Sequence, residues 1–125
     1  LFSHAALFTG QKPSAHGELS YLAFALDPQY PSLAQNLKTQ GYVTEAVVAG
    51  GHLAPIFGLD KGFDRYNSLG SFGSFQATVP AAIDALGRLR QGESPFLLFV
   101  HGYDCHSPYP KPGLMFRLES PGYKG

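Results

Sequence analysis

The feature that most constrains this chain is the stretch from Pro95 to Pro110, PFLLFVHGYDCHSPYP. Phe96 to Val100 is an unbroken apolar run with Pro95 before it and Gly102 just beyond it. A run this short, bounded by Pro and Gly, fits a strand covered on both faces, whereas a helix would need about ten residues or more. The polar cluster His101, Gly102, Tyr103, Asp104, Cys105, His106 begins where the strand stops. In open parallel sheets ligands sit beyond the carboxyl ends of the strands, where the loops converge on one crevice. The sequence therefore puts two histidines and an aspartate at the edge of a candidate site.

The rest of the chain supplies partners for such a strand. LFSHAALFTG at the start reads as a short helix, capped by Ser3 and ended by Thr9-Gly10. Gln11 to Gly17 is a polar turn, Glu18 to Leu26 is apolar and ambiguous between helix and strand, and Asp27 to Pro31 is a loop. Ser32 to Gln40 is a helix with Ser32 as its cap, Leu33 and Leu37 on one face, and Gly41 as its stop. Tyr42 to Ala49, YVTEAVVA, is rich in β-branched residues and reads as a second strand, delivering Gly50-Gly51-His52 at its carboxyl end. Leu53 to Phe75 lacks a sustained period and reads as a long excursion with little regular structure. Thr78 to Gln91 is the strongest helix, capped by Thr78, with Val79, Ala82, Ile83, Leu86 and Leu89 as one apolar stripe and Asp84–Arg88 as an i,i+4 pair. Lys111 to Gly125 is a Pro/Gly-rich tail with a short helix at Leu114 to Leu118. Helix, strand, long loop, helix, strand in that order predicts an α/β fold with a mainly parallel sheet and crossover helices.

Composition narrows the functions open to it. Formal net charge is +0, which offers nothing to nucleic acid or an anionic membrane surface. The single cysteine excludes an internal disulfide. Only 14% of residues are charged and another 14% are aromatic, a pairing that points to a surface made to be covered. Among candidate residues, His101, Asp104 and His106 are close enough to suggest a metal, but their spacing matches no specific zinc pattern, and a polar role in handling substrate is the stronger reading. His52 follows two glycines, where bare backbone admits a ligand or simply makes a turn. His4 lies in the first turn of a helix, where N–H groups favour anions. His16-Gly17 reads as turn chemistry, Cys105 as a small packed residue, and Lys61 and Arg65 as structural or solvated side chains.

Taken together, three ordered blocks resemble the sulfatase family of the alkaline-phosphatase-like superfamily. Ser3 to Gly10, continuing to Pro13 and His16-Gly17, resembles the nucleophile helix with its TG…P…HG continuation. Ser32 to Ala49, continuing through His52 to Gly62-Phe63-Asp64-Arg65-Tyr66, is similar to the family's "sLaxxLkxxGYxT" helix and strand and its GFD block. Pro95 to Tyr109 resembles the strand and H-x-P-Y loop that carries a catalytic histidine.

The resemblance implies a partial three-layer α/β/α architecture in which residues 1–125 form the central part of one catalytic domain. It implies a metal-dependent hydrolase of sulfate or phosphate esters, with a small-molecule, glycan or lipid ester as substrate and the remainder of the same domain as partner. His106 matches the histidine that helps the leaving group depart, and His4 the position that is Arg in formylglycine sulfatases. His52 and Asp104 match, more loosely, substrate-binding positions. A divalent metal (Ca, Mg, Mn or Zn) is implied, with ligands outside this stretch, and the matched nucleophile position falls directly before Leu1. Phe2 and His4 stand where formylglycine sulfatases carry Pro and Arg, which favours relatives with a Thr or Ser nucleophile and phosphoryl chemistry. Two rival readings remain: a phospho-alcohol transferase of the same superfamily, and a non-catalytic α/β module binding a partner through its aromatic loop.

Overall fold

The computed structural model describes residues 2–14, 25–27, 29–71, 73–104 and 106. The expectations for His16-Gly17, for most of Glu18 to Leu26, for Cys105 and for the tail lie outside the described residues. Three helices and three strands follow in order: α1 (Phe2–Thr9), α2 (Leu33–Thr39), β1 (Val43–Val48), β2 (Arg65–Ser68), α3 (Phe75–Leu89) and β3 (Phe96–His101). The strands form one parallel sheet in the order β2-β1-β3. No helix of the described residues is long and apolar enough to cross a membrane.

Strand register assigns the two faces. Glu45 pairs with Arg65 and Leu98, and Ala46 with Tyr66 and Phe99. Side chains alternate along a strand, so Thr44, Ala46 and Val48 share one face with Leu97, Phe99 and His101. Glu45 and Val47 share the other with Phe96, Leu98 and Val100. The first face closes against α1 in a core of Ala5, Phe8, Leu26, Ala46, Val48, Leu53 and Leu59, with Phe63, Tyr66 and Phe99 packed onto it. Phe8 meets Phe99 edge-on at 4.9 Å between ring centroids. The second face carries α3, whose Arg88 reaches Glu45 at 2.9 Å. The result is the expected three-layer α/β/α arrangement.

Local chemistry explains the boundaries. Ser32 caps α2 in a full capping box: its hydroxyl accepts the Gln35 N–H, and the Gln35 side chain accepts the Ser32 N–H. Gly41 then takes a φ of 84°, the left-handed region that suits glycine at a helix end. The GFD block has a structural role. The Asp64 carboxylate accepts the Thr44 N–H at 2.9 Å, Lys38 sits 2.6 Å from its other oxygen, and the Thr44 hydroxyl donates to the Gly62 carbonyl at 2.7 Å. Gly62 has no room for a side chain, since a Cβ there would lie 2.4 Å from the Gln35 nitrogen. Together these residues tie α2 and the approach to β2 onto the start of β1.

Four expectations need correction. Ser3 lies within α1 rather than before it. α3 begins at Phe75 with Ser74 as its N-cap, one turn earlier than expected; the Phe75 N–H is taken up by the Asp104 carboxylate, and Pro80 falls inside the helix, where it removes one backbone hydrogen bond. The excursion after Leu53 contains β2, a short edge strand whose RYNS sequence has neither alternation nor an apolar run to reveal it. Finally, of the stripe Val79, Ala82, Ile83, Leu86 and Leu89, Leu89 is buried, while Val79, Ile83 and Leu86 are exposed; Thr78 and Ala85, outside the stripe, are buried with Leu89.

Candidate functional site

The carboxyl ends of all three strands are drawn together by backbone bonds. The Ala49 N–H donates to the His101 carbonyl at 3.0 Å, the Gly50 N–H to Gly70 at 3.0 Å, and the Gly51 N–H to Ser71 at 3.1 Å. Glycine is required where these loops touch. A Cβ on Gly50 would lie 2.8 Å from the Tyr103 ring, and one on Gly102 would lie 2.2 Å from the Phe75 ring. The candidate residues are mounted on this rim.

His4 reaches the rim from the first turns of α1. Its ring stands edge-on to His101, with centroids 4.8 Å apart, and 6.3 Å from Phe99. Burial, reinforced by the neighbouring His101, lowers its pKa from 6.5 to about 4, so His4 is neutral at physiological pH. Its Nδ1 is buried with no hydrogen-bond partner among the described residues. A buried N–H left unpaired is rarer than an unpaired acceptor, which puts the proton on Nε2. His4 is thus an uncharged ring at this end of the sheet. The His101 Nδ1 lies 2.7 Å from the Ala49 carbonyl, an acceptor only, so that nitrogen carries the proton.

His106 stacks on Tyr103 with centroids 4.5 Å apart and planes 13° from parallel, and its backbone N–H donates to the Tyr103 carbonyl at 3.1 Å. Tyr103 in turn lies over Gly50. Asp104 accepts the Phe75 N–H, so one carboxylate oxygen is engaged at the start of α3. His52 is exposed, in a short 3-10 turn (Gly51–Leu53), with its ring 6.5 Å from Phe57. The structure therefore couples His4 to His101 and His106 to Tyr103 and Gly50. His52 is on the same rim, directed toward Phe57.

Tyr103 is the neighbour that spacing alone did not single out. His101, named in the sequence with Asp104 and His106, is found beside His4 instead. The stacking role of Tyr103 depends on Gly50, which is more than fifty residues away in sequence. Among the described residues no group of three or more His, Cys, Asp or Glu side chains could hold a metal ion. The implied divalent metal therefore has no ligand set among them. A shallow groove lined by Glu45, Arg65 and Arg88 lies on the α3 face, away from the rim. Its two arginines share one carboxylate, with Arg88 at 2.9 Å and Arg65 at 3.7 Å from Glu45.

This architecture has a counterpart among solved structures. A protein in the alkaline phosphatase superfamily from Vibrio parahaemolyticus superposes with a TM-score of 0.61 and is 26% identical, the match covering 87% of this chain. The chain carries the alkaline-phosphatase-like fold. It spans 30% of the length of that solved structure. No family model matches the chain, and no curated protein does.

Proposed function

We propose that these residues form the central part of the catalytic domain of a hydrolase acting on sulfate or phosphate esters. What supports the reading is a single juxtaposition: His4 with His101, and His106 with Tyr103, stand on one rim at the carboxyl ends of a parallel sheet. The sheet belongs to a fold shared with a protein in the alkaline phosphatase superfamily. In this reading the amino end of α1 faces the anionic ester, where free backbone N–H groups favour negative charge. His4 adds an uncharged Nε2–H donor to one of its oxygens. His106 donates a proton to the bridging oxygen as the bond from sulfur or phosphorus to that oxygen breaks, so the leaving group departs as a neutral alcohol. The Tyr103 stack holds the His106 ring in orientation. The nucleophile and the ligands of a divalent metal are assigned to residues outside those described.

The test compares leaving groups in the gene-encoded protein. His106→Asn lowers kcat/KM for an alkyl ester by about 100- to 10,000-fold, the usual contribution of a positioned general acid. The loss for a nitrophenyl ester is much smaller, because that leaving group departs without a proton. Equal losses on the two esters would assign His106 to binding instead.

A further inference from the structure

α3 starts without help from its own cap. Ser74 occupies the N-cap position but makes no side-chain capping bond. Its carbonyl accepts the Ala77 and Thr78 N–H groups at 2.9 and 3.0 Å. The Phe75 N–H, one of the donors that a helix start leaves unpaired, is taken up from outside the helix by the Asp104 carboxylate. A carboxylate suits that place, since it meets the positive end of the helix dipole and makes a charge-assisted bond. The Phe75 ring meanwhile lies against Gly102, where a side chain would collide with it. Asp104 and Gly102 thus seat the loop after β3 on the first residue of α3.

The seated loop is the one that presents His106. At its start the His101 carbonyl accepts the Ala49 N–H at 3.0 Å and the His101 Nδ1 donates to the Ala49 carbonyl at 2.7 Å, which ties residue 101 to the end of β1. Tyr103 to His106 then make a turn, closed by the His106 backbone N–H on the Tyr103 carbonyl at 3.1 Å. The first residue of that turn rests on Gly50 through the Tyr103 ring. The second, Asp104, rests on α3. His106 is the exposed residue at the end of the turn, its ring stacked on Tyr103.

We infer that Asp104 is a positioning residue: it acts on the ester only through His106, by fixing the turn from which His106 reaches the leaving oxygen. This role rests on the general-acid reading of His106. It takes Asp104 out of the substrate-binding group to which the family resemblance matched it, and it gives the start of α3 a part in the chemistry. The other uses of a carboxylate in this place, accepting a bond from the substrate or ligating a metal, call for its charge or its second oxygen. Positioning calls only for an acceptor to one N–H. Asparagine, as good as aspartate at a helix start, supplies that without the charge.

Turnover of an alkyl ester and a nitrophenyl ester by the gene-encoded protein tests it. Asp104→Ala is expected to lower kcat on the alkyl ester by about 10- to 100-fold, the order of loss when a reacting group is displaced by about an ångström, with KM nearly unchanged. The nitrophenyl ester, whose leaving group departs without a proton, loses far less. Asp104→Asn recovers most of the alkyl-ester rate. Combined with His106→Asn, the Asp104→Ala loss does not multiply, because both act through one group. Phe75→Pro deletes the same bond from the helix side and keeps the test alive if Asp104→Ala fails to fold. Proline starts a helix well, and Ser74 before it is already extended at φ −97° and ψ 166°. The same ester-selective loss is expected there, and parent rates would overturn the positioning role. A raised KM, multiplied losses, or an Asn variant as slow as Ala would put the carboxylate on the substrate or a metal and overturn it. Equal losses on the two esters from Asp104→Ala would make the bond merely structural and overturn it too. The general-acid reading fails separately, when His106→Asn alone does not discriminate between the esters, and the positioning role then falls with it.

Discussion

The two faces of the sheet are made from the same strands and finished differently. Toward α1, β1 presents Ala46 and Val48, 1% and 0% exposed, and β3 presents Phe99 to a cluster of rings from Phe8, Phe63 and Tyr66. Toward α3, the sheet is closed over β1, where Glu45 and Val47 are 4% and 2% exposed, and opens progressively over β3. The buried helix residues there are Thr78, Ala85 and Leu89, while Val79 and Ile83 are exposed. One face is a finished core, and the other is closed only over β1.

The sharpest test of that contrast is on the finished face. Phe8 is 5% exposed and touches both Phe63 and Phe99. Phe8→Ala is expected to cost about 3–5 kcal/mol, the transfer of an aromatic ring plus the cavity it leaves. Urea denaturation of the gene-encoded protein measures it. A cost under ~1 kcal/mol would mean that this face collapses easily around the gap and is no better packed than the α3 side.

The contrast also separates what could be read in the sequence from what could not. β1 and β3 were legible because strands of a parallel sheet covered by helices are dense in apolar residues. α2 was legible from its Ser32 cap, its Leu33–Leu37 face and its Gly41 stop, all local signals. β2 was not: as an edge strand it needs no apolar face, and its place is set by the distant Thr44–Asp64 bonds. The stripe of α3 was found, but its direction was not. A helical period says that a face is apolar, and only the neighbouring strands decide whether that face or the one beside it is covered first. The rim was half legible in the same way. The histidines at strand ends could be seen, whereas the pairing of His4 with His101 joins residues nearly a hundred positions apart.

A smaller effect is expected at that pairing, where the finished face reaches the site. His4 has its pKa lowered from 6.5 to about 4, first by burial and then by His101. The unfolded chain takes up a proton as pH falls through 6.5, while the folded chain resists until about 4. Stability is therefore full above pH 6.5, declines across that window and is flat below it. The full shift corresponds to roughly 3 kcal/mol, which solvent at this half-buried ring reduces to about 1–2 kcal/mol. His4→Gln is expected to flatten the slope of unfolding free energy between pH 4 and 6.5. An unchanged slope, or a His4 proton resonance titrating near 6.5 by NMR, would mean that the ring is solvated and the α1 face open at this end.

The smallest expected effect belongs to the α3 face and concerns an ion pair that spacing suggests and geometry redirects. Asp84 and Arg88 stand at i,i+4, yet the Arg88 guanidinium reaches across to Glu45 at 2.9 Å, with Arg65 approaching the same carboxylate at 3.7 Å. Asp84 is left on an exposed helix surface. Asp84→Asn should therefore change stability by less than about 0.5 kcal/mol. Glu45→Gln, which removes the charge from a carboxylate only 5% exposed, should cost about 1 kcal/mol. Both arginines keep much of their water, 47% and 67% exposed, so the larger penalties of a fully buried pair do not apply. If the two substitutions cost the same, Arg88 divides its time between Asp84 and Glu45. α3 would then be held over β1 by its apolar contacts alone, and the closed half of this face would be as provisional as the open half.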